Sequence, residues 1–315
     1  MERYFRDPET GRLRAGWRIL AFMVVFVATT AASMAGIRLA LGSLRGGSTL
    51  QFTILAATAT LSVLIARRFF DKQSLVSLGL RIDRLAVLDL VSGIVNSALV
   101  MAGMFFTLIA MNLIEVEGLS WWGHGAATVA GVQLAALPVV LLVFYKLTLV
   151  AWWEELVFRG YILQNLIAGL GVAWSIVISS LVFGFGHAAN PDATLLTSVL
   201  IALITPQLIY AYLVTGQLWL PIGLHLGWNF FQASVFGFAT SGLDMPSLIS
   251  QSPSGADWLS GGAFGAEGSV LVLPFTAISV LLIHYWVRLT GRPDRVLADV
   301  KGRRPRERHQ RGSRA

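Results

Sequence analysis

Six polar side chains that can do chemistry stand in three otherwise apolar stretches, and their spacing is that of helix faces. Glu154 and Glu155 fall in Ala151-Trp-Trp-Glu-Glu-Leu-Val-Phe-Arg-Gly160, with Arg159 four residues after Glu155. That order and interval bring a carboxylate and a cation onto one face of a helix. Glu154 lies one helical step, about 100°, from Glu155, so the same arginine cannot serve both carboxylates equally. Glu154 is therefore the group left over for proton transfer, as a general base or acid. His187 ends Ser179-Ser-Leu-Val-Phe-Gly-Phe-Gly-His187, with Phe183 one turn before it, and His225 and Asn229 share a face four residues apart. A single histidine in a helix is ordinarily a packing residue. Six polar groups in lipid each need a partner, however, and the least costly arrangement converges them: two central carboxylates alone would cost roughly 5 to 7 kcal/mol. Glycines at 184, 186, 223 and 227 are expected to allow close helix contact around the cluster.

The elements that must position these groups are membrane helices. The chain of 315 residues is 55% hydrophobic and only 13% charged, against about a quarter charged in soluble domains. Apolar runs at residues 16–41, 48–66, 88–114, 129–150, 172–189, 193–215, 218–238 and 269–289 are long enough to cross a hydrocarbon core about 30 Å thick. Continuous runs indicate helices and argue against an outer-membrane barrel. The expected fold is all-α, a multi-pass transmembrane helical bundle of about eight helices. The helical pattern of the fourth run continues past Lys146 and Glu154 to about Ala168, which predicts one long helix with the glutamates towards its inner end. Twenty of the 24 Lys and Arg residues lie before or at the start of the first span, between spans two and three, or after Tyr285. That distribution predicts both termini in the cytoplasm of a cell-membrane protein. Trp121 and Trp122, and the Gly- and Ser-rich segment 239–268, lie in stretches without Lys or Arg and are expected on the outer face. The basic tail from Arg288 to Arg314 reads as a topology anchor that can meet anionic lipid, with no nucleic acid implied. Cysteine is absent, which excludes disulfides and thiolate metal sites.

The three segments, in this order, resemble the type II CAAX prenyl endopeptidase and bacteriocin-immunity (Abi) family of intramembrane proteases, also called CPBP. Glu154-Glu155-x-x-x-Arg159, Phe183-x-x-x-His187 and His225-x-x-x-Asn229 carry the likeness, which spans roughly residues 138–234. The expected organisation is an N-terminal membrane region at 1–127 and a catalytic core at 128–238. An outer loop, last helix and tail follow at 239–315. The resemblance implies an endopeptidase acting on membrane-embedded, lipidated or leader-bearing peptides, with Glu154 activating a water that His187 helps to hold. His225 and Asn229 would donate to the oxyanion, while Glu155, Arg159 and Phe183 support the site. It implies no cofactor; a zinc ion, were one used, would fall to Glu154, His187 and His225, although no His-Glu-x-x-His helix is present. Intramembrane Glu, His and Arg are also the parts of a proton-coupled transporter, and a non-catalytic scaffold or immunity protein could keep the same fold. No paired halves with broken helices support a transporter.

Overall fold

The computed structural model describes residues 2–6, 11–42, 48–119, 128–129, 132–133 and 136–291. The apolar runs form helices α1 (Ala15–Leu41), α2 (Thr49–Ile65) and α3 (Arg84–Ala110). They continue as α4 (Ala136–Glu154), α5 (Leu163–Leu170), α6 (Val172–Gly186), α7 (Leu195–Thr215), α8 (Trp219–Phe230) and α9 (Val272–Leu289). Starts are marked by side-chain caps. Ser48 accepts from the Gln51 amide, Asp83 from the Ala86 amide, and Thr194 and Thr197 form a reciprocal capping box, which satisfies amides that have no partner within the helix. Among the described residues, α1, α2 with its extension to Asp71, α3, α7 and α9 are long and apolar enough to cross a membrane; α6 is apolar but shorter. The protein is an all-α membrane protein.

The fourth run departs from the expected 129–150. It begins at Ala136 and passes through a π-helical segment, Glu155–Ile162, into α5 without leaving helical backbone angles (Glu154 φ −69°, ψ −46°; Ile162 φ −65°, ψ −52°). Glu154 therefore lies 18 residues from one end of the run and 16 from the other. It sits at mid-helix, not near an inner end. Helix α3 stops at Ala110, short of the expected 114, because the chain takes a left-handed turn at Asn112 (φ 56°). Ile114–Leu119 then forms strand β1, which pairs antiparallel with β2, Ile249–Pro253, with an irregularity between Val116 and Gly118. The segment 239–268 is thus not a plain connection: it holds β2 and a short helix at Asp257–Ser260. Span seven ends in a further π segment, Phe231–Val235, as α2 does at Ala66–Asp71.

The bundle is apolar outside and more polar within. On α3, Val91, Val95, Leu99 and Phe106 are exposed, whereas Asp89, Gly93, Asn96 and Ser97 are buried. A soluble helix shows the reverse. With lipid as the surrounding medium, close backbone approach and interhelical hydrogen bonds hold such helices together. A Cβ built on Gly93 would lie 2.5 Å from the Leu224 nitrogen, one on Gly223 would meet the Leu90 carbonyl oxygen, and Ser97 Oγ donates to the Leu224 carbonyl at 2.7 Å. α3 and α8 are therefore in backbone contact. Gly184 joins α6 to α7 in the same way, its Cβ position 2.6 Å from the Ala202 nitrogen. Gly186 departs from expectation, with open space around it.

At one end of the bundle the Leu218 amide donates to the Gly79 carbonyl at 2.8 Å, and Asp71, fully buried, accepts from Arg18 and Arg67 at 3.0 and 2.8 Å. The β1–β2 pair closes the opposite end, beyond the far terminus of α3. Trp121, Trp122 and the tail beyond Gly291 lie outside the described residues.

Candidate active site

The three segments meet. Glu154, Phe183, His187, His225 and Asn229 line one cavity of about 320 Å³ between α4, α6, α7 and α8, and Glu155 and Arg159 stand behind its wall, both wholly buried. Adjacent positions on the helix thus divide the two carboxylates: Glu154 faces the cavity and Glu155 faces the protein.

Glu155 organises the buried side. Its Oε1 accepts from Arg159 Nη1 at 2.8 Å and from His225 Nδ1 at 2.7 Å. The arginine is the i, i+4 partner expected from the spacing, but the histidine comes from α8, seventy residues on. His225 consequently bridges the two glutamates, since its Nε2 lies 3.7 Å from Glu154 Oε2. Such buried pairs stabilise only when desolvation is offset by good geometry and further contacts. Phe183 supplies one of these. Its ring centroid lies 4.1 Å from the Arg159 guanidinium carbon, a distance at which the ring face attracts a cation. Phe158 packs edge-on to the same ring at 5.0 Å, with His187 4.9 Å and His225 6.3 Å away. A residue expected only to support the site is thus the shared floor under its arginine and both histidines.

His187 caps the C-terminus of α6, and its Nδ1 lies 2.8 Å from the Phe183 carbonyl oxygen. A carbonyl only accepts, so Nδ1 carries the hydrogen and, in the neutral ring, Nε2 keeps its lone pair. Asn229 sits one turn beyond His225 on the cavity side of α8. Among the described residues, no three His, Asp or Glu side chains are grouped so as to hold a metal ion.

The cavity also contains residues that the spacing of the motifs does not indicate. Glu267 and Ser241 reach it from the segment after α8, and Asn190 from the turn after α6. Glu267 is buried; it accepts from Trp228 Nε1 at 3.1 Å and from Ser241 Oγ at 2.7 Å. It therefore pins the long segment onto α8 beside Asn229. The one hint in the sequence is an acidic residue in a segment otherwise made of small and apolar groups, Gly261-Gly-Ala-Phe-Gly-Ala-Glu-Gly268.

A multi-pass helical bundle with a glutamate, two histidines and an asparagine around one internal cavity is the class of protein that the fold and site define. Residues 135–231 match the family model described as type II CAAX prenyl endopeptidase, Rce1-like. The chain thus carries a domain of that family over the segments that form the cavity. No curated protein and no solved structure matches the chain.

Proposed function

We propose that the protein is an intramembrane endopeptidase that hydrolyses a peptide bond of a membrane-associated or lipidated substrate with water activated by Glu154. The observation that carries this reading is the convergence of Glu154, His187, His225 and Asn229 on one cavity, supported by the family match over the same segments. His187 Nε2 accepts a hydrogen bond from the water and orients it. Glu154 takes a proton from that water as its oxygen attacks the carbonyl carbon, a step that a positioned base accelerates. The negative charge that develops on the carbonyl oxygen is received by Asn229 Nδ2 and His225 Nε2–H, donors whose effect is greatest where water is scarce. Donation from both His225 nitrogens requires the imidazolium form, and Glu155 holds that ring through Nδ1 while Arg159 holds Glu155. Collapse of the tetrahedral intermediate breaks the C–N bond, and Glu154 returns its proton to the leaving amine. No metal enters this sequence. The substrates that fit are peptides of the CAAX-processing or bacteriocin-maturation kind, reached within a cell membrane with both termini of the protease in the cytoplasm.

The test is cleavage of a quenched lipopeptide library by the purified protein and by Glu154→Ala and His187→Ala. Expected is turnover by the unaltered protein and a loss of about a hundred- to ten-thousand-fold in kcat for each variant. Turnover that survives both substitutions removes the mechanism, and a stoichiometric metal required for turnover removes its metal-free form.

A further inference from the structure

Gln207 of α7 lines the same cavity as Glu154 and is otherwise buried, and the chemistry above does not use it. Its amide is oriented by a chain of hydrogen bonds through three helices. Asn96 Nδ2 of α3 donates to the Ser279 carbonyl oxygen of α9 at 3.1 Å, so Asn96 Oδ1 is the end that accepts from Ser279 Oγ, at 2.6 Å. A hydroxyl has one hydrogen. Towards Gln207, therefore, Ser279 Oγ can only accept, and it does so from Nε2 at 2.6 Å. Asn96 and Ser279 are buried behind the wall. Joining helices in lipid is the ordinary role of such groups, and it accounts for Asn96, Ser279 and one end of Gln207. The other end is left over: among the described residues nothing donates to Oε1. Leu208 packs in one cluster with Leu220 and Leu224 of α8, and Ile204 in another with Trp228, so Gln207 is level with the turn of α8 that carries His225.

Resting on the protease reading, we infer that Gln207 is a substrate-positioning residue whose Oε1 accepts a main-chain N–H of the peptide held in the cavity. An N–H that leaves water for an apolar cavity needs an acceptor, and Phe52, Leu147, Val150 and Ile201 make much of this wall apolar. Of the acceptors there, Glu154 and His187 serve the water, and Glu267 already accepts from Trp228 and Ser241. A neutral amide oxygen offers the peptide what a neighbouring strand would offer, so the contact reads the main chain and is indifferent to side chains. His225 and Asn229 receive a carbonyl oxygen and Gln207 an N–H, and together they fix the rotation of the peptide before its bond is attacked. The helices that orient this acceptor, α3 and α9, lie outside the matched residues 135–231.

The experiment uses the full-length protein in detergent and a series of quenched lipopeptides sharing one cleavage site. In each member one main-chain amide other than the scissile one, within three residues on either side, is replaced by an ester, which exchanges the N–H for an oxygen and keeps the side chains. Mass spectrometry confirms that the cut stays in place. Expected for the unaltered protein is a loss of about five- to tenfold in kcat/KM at one position of the series, the effect of one neutral hydrogen bond. Gln207→Met and Gln207→Leu should lose about as much on the all-amide peptide, mainly in KM, and should be indifferent to the ester at that one position. A variant that only loosened the bundle would lower turnover equally across the series. An ester series without a sensitive position in the unaltered protein overturns this inference, needs no variant to fold, and leaves the protease reading intact. So does a sensitive position that persists in the folded Met and Leu variants, because another group then receives that N–H. Absence of any cleavage across the series overturns both.

Discussion

Each charged residue at the site is defined by what shares it. Glu155 Oε1 is claimed by Arg159 and by His225, so Glu155 belongs to two helices at once, and removing either donor leaves a carboxylate stranded away from water. Arg159→Met is accordingly expected to destabilise the protein by about 3 to 5 kcal/mol. The double variant Glu155→Gln with Arg159→Met should recover part of that loss, because a neutral amide has less to lose from the missing cation. Chemical denaturation in detergent, followed by tryptophan fluorescence, reads both; equal stability of Arg159→Met and the unaltered protein would show that the pair is not buried in solution. The Glu155–Arg159 pair was legible in the sequence because i, i+4 spacing is a local property. The second partner, His225, was not, since nothing in local spacing records which nitrogen of a histidine on another helix will meet the same oxygen. Phe183 is similar: its place in a motif was visible, but its position under Arg159 depends on how α6 crosses the π segment.

Between elements, the glycines decide which helices touch. Gly184 leaves no room for a side chain against α7, whereas Gly186, two residues on, faces open space. Gly184→Val is therefore expected to separate α6 from α7, move His187 away from Glu154 and reduce both folded yield and turnover. Gly186→Ala should leave yield unchanged. Size-exclusion profiles and cleavage rates measured together check this contrast, and equal behaviour of the two variants would contradict it. The run lengths that predict membrane helices depend on composition alone, and each apolar run coincides with a helix, although among the described residues five, not eight, are long and apolar enough to cross a membrane. The ends were harder. Asn112, which turns α3 aside, is one residue in an unfavourable backbone region. β1 and β2 are short and sit 135 residues apart by first residue, and β2, Ile-Ser-Gln-Ser-Pro, has no alternation of apolar with polar side chains. Their pairing is a long-range event, which periodicity does not report. The mid-helix place of Glu154 likewise follows from where Ala136 begins the run, a boundary that the apolar pattern blurs.

For the whole molecule, orientation in the membrane is the property most open to direct measurement, and the absence of cysteine from the chain makes that measurement clean. Val116 and Gln251 are register partners across β1 and β2, so the double variant Val116→Cys and Gln251→Cys should form a disulfide under oxidising conditions. A single cysteine at Ser252 is expected to react with an impermeant thiol reagent from outside intact cells, while one at Lys72, at the opposite end of the bundle, should react only after lysis. The reverse pattern would invert the proposed topology without changing the site. The contact of α3 with α8 has a consequence of another kind. The stretch that matches the family, residues 135–231, contains α8 but not α3, yet Gly93 and Ser97 of α3 set the backbone immediately before His225. The chemistry is therefore not a portable cassette. A helix with no motif of its own acts as the fence against which His225 and Asn229, the proposed oxyanion donors, are aligned, and a slip of α3 by one turn would be felt as a misplaced histidine.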